Sequence, residues 1–390
     1  MTKRPITETI PVAPLKVLAM NNCKELGDKI NKLIVEARHD QVNIDKKSLS
    51  FLGYEAESYL VDFSCPRFGS GEAKAIINES IRGTDLYILC DVVNHSIRFK
   101  ANGKINSMSP DDHFQDLKRV IAACSGQPHR INLIMPFLYE SRQHRRNKLE
   151  SLDCAIALQE LVEMGVDNII TFDAHDPRVQ NAIPIQGFDN FYTTFQFIRT
   201  LLDVEPDIQI NNDNLMIISP DEGGTSRSIY YANVLGVDMG MFYKRRDFST
   251  IVNGKNPIVA HEFLGNDVTG KDVFIVDDMI ASGESILEVA SELKKRRARK
   301  VFIAATFGLF TEGLEKFDRY YDNNIIDQIF TTNLTYCSPE LLDKPYYTNV
   351  DLSKYIALII DTLNNDTSVN EILNPTTRIQ ELLVERKKRR

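Results

Sequence analysis

The chain has 390 residues, of which 43% are hydrophobic and 26% charged, and its formal net charge is -8. This length is too great for one ordinary hydrophobic core, so we expect two domains, and the mixed composition argues against overall disorder. The negative charge excludes a general attraction for nucleic acid. No apolar run approaches the ~18 residues needed to span a bilayer, so we expect no membrane partner.

The N-terminal region and the cysteines predict a cytoplasmic protein. Prolines and a glutamate lie among the first 18 residues, where a signal peptide would need its apolar core. The six cysteines are scattered and form no C-x-x-C pair. This pattern is typical of reduced thiols and not of a disulfide framework or a zinc site.

In chain order, residues 1–50 come first, and we interpret them as an added segment, helical or partly ordered. Six apolar runs rich in β-branched residues then end in polar or acidic residues, which is typical of strands buried on both faces. The runs are Asp85–Asp91, Arg130–Met135, Asn168–Asp173, Leu215–Ser219, Asp272–Asp277 and Lys300–Ala305. The stretch Asp91–Asp112 has little periodicity and is interpreted as one long loop.

Amphipathic stretches lie between the runs. They include Ser151–Met164, with Ser151 as the predicted N-cap and Gly165 as the stop, and Ser285–Arg297. Strands that alternate with helices predict an α/β fold with mainly parallel sheets flanked by helices. The pattern occurs twice, which predicts two similar domains at 51–190 and 191–352, followed by a C-terminal helical segment and basic tail at 353–390.

The strongest motif is Val273–Ser285, which reads as a strand, two adjacent acids, a turn of small residues and a helix. Backbone N–H groups at a helix N-terminus form an anion site, and ligands of such sheets bind beyond the carboxyl ends of the strands. A 5-phosphate could bind at the turn, while Asp277 and Asp278 accept hydrogen bonds from the hydroxyls of an attached ribose. The less favoured alternative is a helix N-terminus that happens to follow two acids.

This motif resembles the phosphoribosyl pyrophosphate loop of type I phosphoribosyltransferases, and its Val-Asp-Asp-Met-Ile portion is most similar to ribose-phosphate pyrophosphokinases. Between about Arg67 and Leu352, further motifs resemble the same family in order and in rough spacing. They are Phe68–Glu72, Asn78–Gly83, Met135–Phe137 with Ser141–Arg146, Thr171–His175, Ser219–Gly224 and Lys244–Arg246.

The resemblance implies an enzyme that transfers the β,γ-pyrophosphoryl group of ATP to the anomeric hydroxyl of ribose 5-phosphate, with Mg²⁺ as cofactor. For each substrate it also implies a set of binding residues. Those for ribose 5-phosphate are Asp277, Asp278, Ala281, Ser282, Gly283, Glu284 and Ser285, and those for ATP are Phe68, Ser70, Glu72, Arg142 and Gln143.

Four further residues receive roles from the resemblance. Lys244 and Arg246 would be catalytic cations that begin a mobile loop running to about Gly265. His175 and Asp221 would hold magnesium, although on chemistry alone His175 could equally contact phosphate, because magnesium prefers oxygen ligands. In the family one wall of the ATP site comes from a neighbouring subunit, which implies a homo-oligomer, either a dimer or a hexamer.

The sequence departs from the family pattern at several of these positions. Ala281 and Glu284 replace the usual Asp and Gly, Ser70 replaces an Asp, and His144 stands where Asp is usual. The catalytic loop and the stretch after Asp91 both look longer than usual. These changes bear on substrate affinity and regulation more than on the reaction.

Other interpretations remain open at this point. The runner-up is a catalytically weak, family-related regulatory subunit, and a third is a purine or pyrimidine phosphoribosyltransferase. The segment Gly265–Lys271 imitates a phosphate-binding P-loop, but Asp272 follows in place of Ser or Thr, and we predict a turn. The basic clusters Lys294–Lys300 and Arg386–Arg390 are interpreted as solvated surfaces.

Overall fold

The computed structural model describes residues 11–44, 53–246 and 258–389. The chain divides into two compact units. The first comprises Met1–Tyr192, Asn333–Tyr336 and Asp351–Asn374, and the second Thr193–Thr332, Cys337–Val350 and Pro375–Arg390.

The first unit is built on a parallel five-stranded sheet in the order β1-β4-β7-β8-β9. Its strands are β1 Leu15–Ala19, β2 Phe63–Ser64, β3 Ile76–Ile77, β4 Asp85–Leu89, β5 Arg98–Ala101, β6 Lys104–Ser107, β7 Arg130–Ile134, β8 Asn168–Phe172 and β9 Gly187–Phe191. Its helices up to this point are α1 Lys24–Ile44, α2 Pro110–Cys124 and α3 Asp153–Glu163, with 3-10 turns at Asn21–Cys23 and Pro177–Ala182. All five residues of β4 are buried, as expected of a strand covered on both faces.

The described part of residues 1–50 is not an addition to this unit. Leu15–Ala19 pairs in parallel with Asp85–Leu89 and forms the edge of the sheet. The polar Lys16 interrupts the apolar run there, and its ammonium pairs with Glu79 at 2.5 Å. The expectation of a separate N-terminal segment was therefore wrong for β1 and α1.

The stretch after Asp91 is not one long loop. It contains the antiparallel hairpin β5–β6, whose two-residue turn Asn102-Gly103 has positive φ at both positions, 50° and 74°. Asn-Gly with positive φ is the preferred turn of tight hairpins. Helix α2 then begins at Pro110, after the N-cap Ser109.

Helix α3 begins later than predicted and without the predicted cap. Leu152 is its N-cap residue and makes no side-chain capping bond. The hydroxyl of Ser151 instead donates to the carboxylate of Asp153 at 2.7 Å. The N-cap assignment of Ser151 was therefore wrong, although the helix itself was predicted.

The second unit holds a seven-stranded sheet in the order β12-β11-β10-β13-β14-β15-β16. Its elements are α4 Thr194–Val204, β10 Leu215–Ser219, α5 Thr225–Leu235, β11 Asp238–Arg246, β12 Ile258–Leu264, β13 Asp272–Ile280, α6 Glu284–Lys295, β14 Val301–Gly308, α7 Glu315–Asp322, β15 Gln328–Thr332, α8 Pro339–Leu342 and β16 Tyr347–Val350. Its pairings are parallel except β11 with β12. The segment Gly265–Lys271, whose sequence imitates a P-loop, joins β12 to β13 through a turn. In it the backbone N–H of Lys271 donates to the carbonyl oxygen of Val268, so the prediction of a turn is confirmed.

The C-terminal helices are shared between the units. Helices α9 Ser353–Asn364 and α10 Asn370–Leu373 belong to the first unit, and α11 Thr376–Arg389 belongs to the second. The predicted C-terminal segment 353–390 is therefore helical, but it is divided between the two units and is not a separate segment. Within the described residues, no helix is both long enough and apolar enough to cross a bilayer.

The two basic clusters are not simply solvated. In the first, Arg299 forms a two-pronged ion pair with Asp272 at 2.8 and 2.7 Å. In the tail, the guanidinium of Arg386 donates to the backbone carbonyl oxygens of Pro206 at 2.5 Å and Ile208 at 3.1 Å. These carbonyls follow the end of α4, so Arg386 fastens α11 to that helix terminus.

We predict that Arg386→Met lowers the free energy of unfolding by about 1–2 kcal/mol, because backbone carbonyls lose a charged hydrogen-bond donor. Lys387→Met is the matched control, since Lys387 is exposed and its loss should cost less than about 0.5 kcal/mol. Urea unfolding of both variants provides the measurement. Equal effects would show that Arg386 contributes only as surface charge.

Candidate active site

The acid pair lies at the carboxyl end of β13, the central strand of the second unit. Val273, Phe274, Ile275 and Val276 are buried, and the strand continues through Asp277 and Asp278 to Ile280. Pairing with β14 persists beyond the acids, since Ile280 pairs with Gly308. The predicted end of this strand at Asp277 was therefore wrong, and the acids are held by the sheet instead of by a loop.

The ionisation of Asp277 is strongly perturbed. Burial raises the pKa of Asp277 well above its ordinary value, and the neighbouring carboxylate of Asp278 raises it further. Arg227, on α5, opposes this effect, with its Nη1 3.6 Å from Asp277 Oδ1. The same carboxylate oxygen accepts the backbone N–H of Asp278 at 2.9 Å. These carboxylates suit a ligand that brings hydroxyl donors.

Sequence reasoning missed Arg227. It lies on the helix that directly follows the Ser219–Gly224 motif, and its partner Asp277 is distant along the chain. A basic residue in the first turn after that motif was the available signal. Arg227 now joins the site as the cation that counters the acid pair.

The turn after the acids requires glycine. Gly283 is the N-cap residue of α6 with φ of 81°, and a Cβ added there would lie 2.1 Å from Phe317 Cζ. Ser282 Oγ accepts the N–H of Glu284 at 3.4 Å, and Ser285 is exposed in the first turn of the helix. The strand, turn and helix of the motif are therefore present, with the helix beginning at Glu284, one residue earlier than predicted.

Glu284 is exposed at the first position of α6. A carboxylate at a helix N-terminus interacts favourably with the helix dipole. Its charge also acts on Lys316 of α7, whose pKa is raised first by its hydrogen bond to Glu312 and further by Glu284. These interactions explain how the turn tolerates an acid at this position.

In the first unit, the predicted ATP wall is a tight turn that we name the wall turn, Phe68–Glu72. The Phe68 N–H donates to the carbonyl of Glu72 at 2.7 Å, and the Ser70 hydroxyl donates to the Glu72 carboxylate at 2.6 Å. The side chain of Phe68 is 54% exposed. An aromatic ring presented in this way suits stacking on a flat base.

The other predicted ATP residues follow β7 in the same unit. Arg142 is exposed, and its guanidinium suits a phosphate. The amide nitrogen of Gln143 donates to the carbonyl of Ser151 at 2.7 Å and to that of Arg145 at 3.3 Å. Gln143 therefore ties its own loop together through its amide nitrogen.

A polar cluster beside these residues was not predicted. His144 Nε2 lies 3.4 Å from the Asp176 carboxylate, and its ring lies 5.5 Å from that of His175. Hydrogen bonds from Arg178 are the main cause that lowers the pKa of Asp176 to about 2. His144 thus replaces the acid that is usual in the family and faces another acid, Asp176. The signal was the position of Asp176 and Arg178 directly after His175.

The two predicted magnesium ligands lie in different units. His175 is exposed after β8 of the first unit, and Asp221 is exposed after β10 of the second, where its Oδ1 accepts the N–H of Gly224 at 3.1 Å. In the part of the chain that is described, no three or more His, Cys, Asp or Glu side chains gather as a metal site. A magnesium ion at either residue would take most of its ligands from phosphate and water.

The predicted catalytic cations end a strand. Lys244 and Arg246 lie on β11, where Lys244 pairs with His261 and Arg246 with Ile258 of β12, across an irregularity between Arg245 and Arg246. The predicted loop to Gly265 is therefore shorter, because β12 occupies its second half. The side chains of both cations and all of residues 247–257, including Lys255, lie outside the described part of the chain.

Two family models match the chain, one over part of each unit. The N-terminal domain of ribose phosphate pyrophosphokinase matches residues 15–165, and the phosphoribosyl transferase domain matches residues 199–339. The chain belongs to the ribose-phosphate pyrophosphokinase family. This result confirms the resemblance that the sequence motifs indicated.

Individual relatives agree with this assignment. The ribose-phosphate pyrophosphokinase of Vibrio parahaemolyticus is 29% identical over 320 residues, which cover 81% of this chain and 92% of the relative. That of Shewanella oneidensis is 27% identical over 314 residues, covering 79% and 89%.

Among solved structures, phosphoribosylpyrophosphate synthetase from Mycobacterium smegmatis superposes with a TM-score of 0.69 at 19% identity, covering 90% of this chain and 99% of the other. This match confirms the predicted fold class.

We predict that Asp277→Asn stabilises the protein. A raised pKa means that the folded state favours the protonated carboxyl, so the ionised form costs stability at neutral pH. The thermal midpoint should rise by about 2–4 °C, the shift that ~1 kcal/mol produces in a domain of this size. The gain should grow as pH rises from the ordinary pKa of an aspartate toward the raised pKa of Asp277, level off above it and vanish in acid.

Asp267→Asn is the control with opposite sign. Asp267 is exposed, and a hydrogen bond from the Thr269 backbone lowers its pKa, so its ionised form favours folding. Calorimetry from pH 5 to pH 8 should show no increase in midpoint for this variant. A gain from Asp277→Asn that did not change with pH would contradict the assigned cause.

Proposed function

We propose that this protein transfers the β,γ-pyrophosphoryl group of ATP to the anomeric hydroxyl of ribose 5-phosphate, giving phosphoribosyl pyrophosphate and AMP. The observation that carries the proposal is the succession of a buried strand, Asp277 and Asp278, a glycine turn and the N-terminus of α6. This succession offers acceptors for sugar hydroxyls next to donors for a phosphate. Family membership supplies the reaction.

Ribose 5-phosphate binds at the second unit. Its 5-phosphate accepts hydrogen bonds from backbone N–H groups at the start of α6 and from the hydroxyls of Ser282 and Ser285, which lie at that helix terminus. Asp277 and Asp278 accept hydrogen bonds from the ribose hydroxyls. Because the sheet fixes both acids, the sugar is held with its anomeric end away from the phosphate turn.

ATP binds at the first unit, and a neighbouring subunit supplies the wall that carries Phe68. Phe68 stacks on the adenine, Ser70 and Glu72 complete that wall, Arg142 contacts phosphate and Gln143 contacts the base through its carbonyl oxygen. The exposure of Phe68 and Arg142 supports this role, since neither side chain is buried in the hydrophobic core. The reaction then depends mainly on positioning and on neutralising negative charge.

Lys244 and Arg246 supply positive charge to the β-phosphate as AMP departs. Magnesium, when bound, would neutralise charge on the phosphates of ATP, and His175 in the first unit and Asp221 in the second would each offer a protein contact to such an ion. We further propose that the enzyme works in the cytoplasm as a homo-oligomer, a dimer or hexamer, with neither nucleic acid nor membrane as a partner.

We expect purified protein to release AMP from ATP only when ribose 5-phosphate is present. EDTA should abolish the release, and excess Mg²⁺ should restore it, because two anionic substrates must be brought together. Chromatographic separation of AMP and phosphoribosyl pyrophosphate measures both products. AMP release without ribose 5-phosphate, or full turnover in EDTA, would contradict the proposal.

We also expect Lys244→Ala and Arg246→Ala each to lower kcat at least ~100-fold, with smaller changes in KM for either substrate. A cation that meets charge formed only in the transition state changes kcat, whereas uniform binding changes KM. Arg245→Ala removes an equal charge between them and should lose much less. If the two variants kept normal kcat and lost only substrate affinity, these residues would be binding groups.

A further inference from the structure

The hairpin β5–β6 lies in the stretch after Asp91, which is longer than the family resemblance implies, and no step of the proposed reaction uses it. We propose that this hairpin positions the wall turn and thereby sets the affinity for ATP. The proposal rests on the proposed function, because the role of the wall turn in nucleotide binding belongs to it.

The tip of the hairpin bonds directly to the wall turn. The backbone N–H of Asn102 donates to the carbonyl oxygen of Gly69 at 2.9 Å. Asn102 adopts positive φ in the tight turn of the hairpin, so the direction of its N–H is set by the hairpin itself. The hairpin therefore fixes one carbonyl group of the wall turn, that of Gly69.

A second carbonyl is held through Arg67, which precedes the turn. Its Nη1 donates to the carbonyl oxygen of Gly71 at 2.9 Å, and its guanidinium lies 4.3 Å from the ring centre of Phe99 on β5. Its Nη2 pairs with Asp116 of α2 at 2.8 Å, and both side chains are nearly buried, 9% and 7% exposed. The hairpin ring thus covers the guanidinium that anchors the turn.

The two segments also lie close together. A Cβ placed at Gly71 would lie 3.5 Å from Cβ of Ala101 and 3.9 Å from the Phe99 ring, which is ordinary van der Waals distance. Ala101 is 7% exposed, although it sits in a surface hairpin. The inner face of the hairpin, with Phe99 and Ala101, is therefore the face turned toward the wall turn.

The wall turn needs such support because two of its five residues are glycines, Gly69 and Gly71. Glycine loses more conformational freedom than any other residue when it is fixed, so an unsupported turn would sample other conformations. Apparent affinity falls in proportion to the fraction of molecules in the binding conformation. Removing the hairpin contact should therefore weaken ATP binding without touching an ATP-binding residue.

The outer face of the hairpin provides a matched control. Ile105 pairs across the hairpin with Lys100, and its side chain is 73% exposed. Truncating Ile105 removes apolar atoms from the same hairpin but none of the contacts with the wall turn. A general effect of disturbing the hairpin would appear in both variants.

Phe99→Ala tests the proposal. We expect KM for ATP to rise about tenfold, while kcat and KM for ribose 5-phosphate stay within about twofold. Phe99→Tyr keeps a ring over the guanidinium and should restore a near-normal KM for ATP. Ile105→Ala should behave as the unaltered protein. A proportional loss of kcat, thermal midpoint and affinity would mean a merely structural role and would overturn the proposal.

Amide hydrogen exchange gives a readout that needs no activity. In Phe99→Ala, the amides of Phe68 and Gly71, which are bonded within the wall turn, should exchange faster, while those of β4 stay unchanged. Unchanged exchange at the turn would overturn the proposal even if the enzyme lacked the proposed activity.

Phe68→Ala separates the two levels of inference. If the unaltered protein forms no AMP, the proposed function fails, and exchange alone tests the support of the wall turn. If the enzyme is active but Phe68→Ala leaves KM for ATP unchanged, the wall turn does not bind nucleotide, and the inference falls while the function stands. If Phe68→Ala raises KM and Phe99→Ala does not, the inference is likewise overturned.

Discussion

Two adjacent carboxylates at the end of a buried strand are the constraint on which the second unit depends. Burial and the neighbouring carboxylate of Asp278 disfavour the ionised form of Asp277 and raise its pKa. The sheet nevertheless holds them in place through the pairing of β13 with β14, and Arg227 offsets part of the cost. The acid pair lowers the stability of the folded protein, and hydrogen bonds from the hydroxyls of a bound polyol would offset that loss.

The glycine turn beside the acids follows from the same constraint. Phe317 fills the space behind Gly283, so no side chain fits at the N-cap position of α6. The terminus is consequently formed by backbone, whose N–H groups cannot be titrated and are already aligned with the helix axis. The acid pair and the backbone N–H donors can thus lie side by side, because side-chain carboxylates accept hydrogen bonds while backbone N–H groups donate them.

Much of this was predictable from sequence, for identifiable reasons. The central strands were found because burial on both faces makes them continuous apolar runs, and the acid–turn–helix motif is local. Strand β1 was missed because Lys16 breaks its run, and Arg227 and Arg386 because their partners lie far along the chain. The hairpin β5–β6 was missed despite an Asn-Gly signal, because its short strands are mostly polar.

The division of the chain has a consequence for its synthesis. The first unit includes residues 351–374, which are made only after most of the second unit. Arg38, 1% exposed, pairs with Asp361 at 3.0 Å and with Asn364 at 2.7 Å. A nascent chain that has not reached Asp361 therefore carries a guanidinium without its native carboxylate. The half that emerges first from the ribosome is the half that must wait to finish folding.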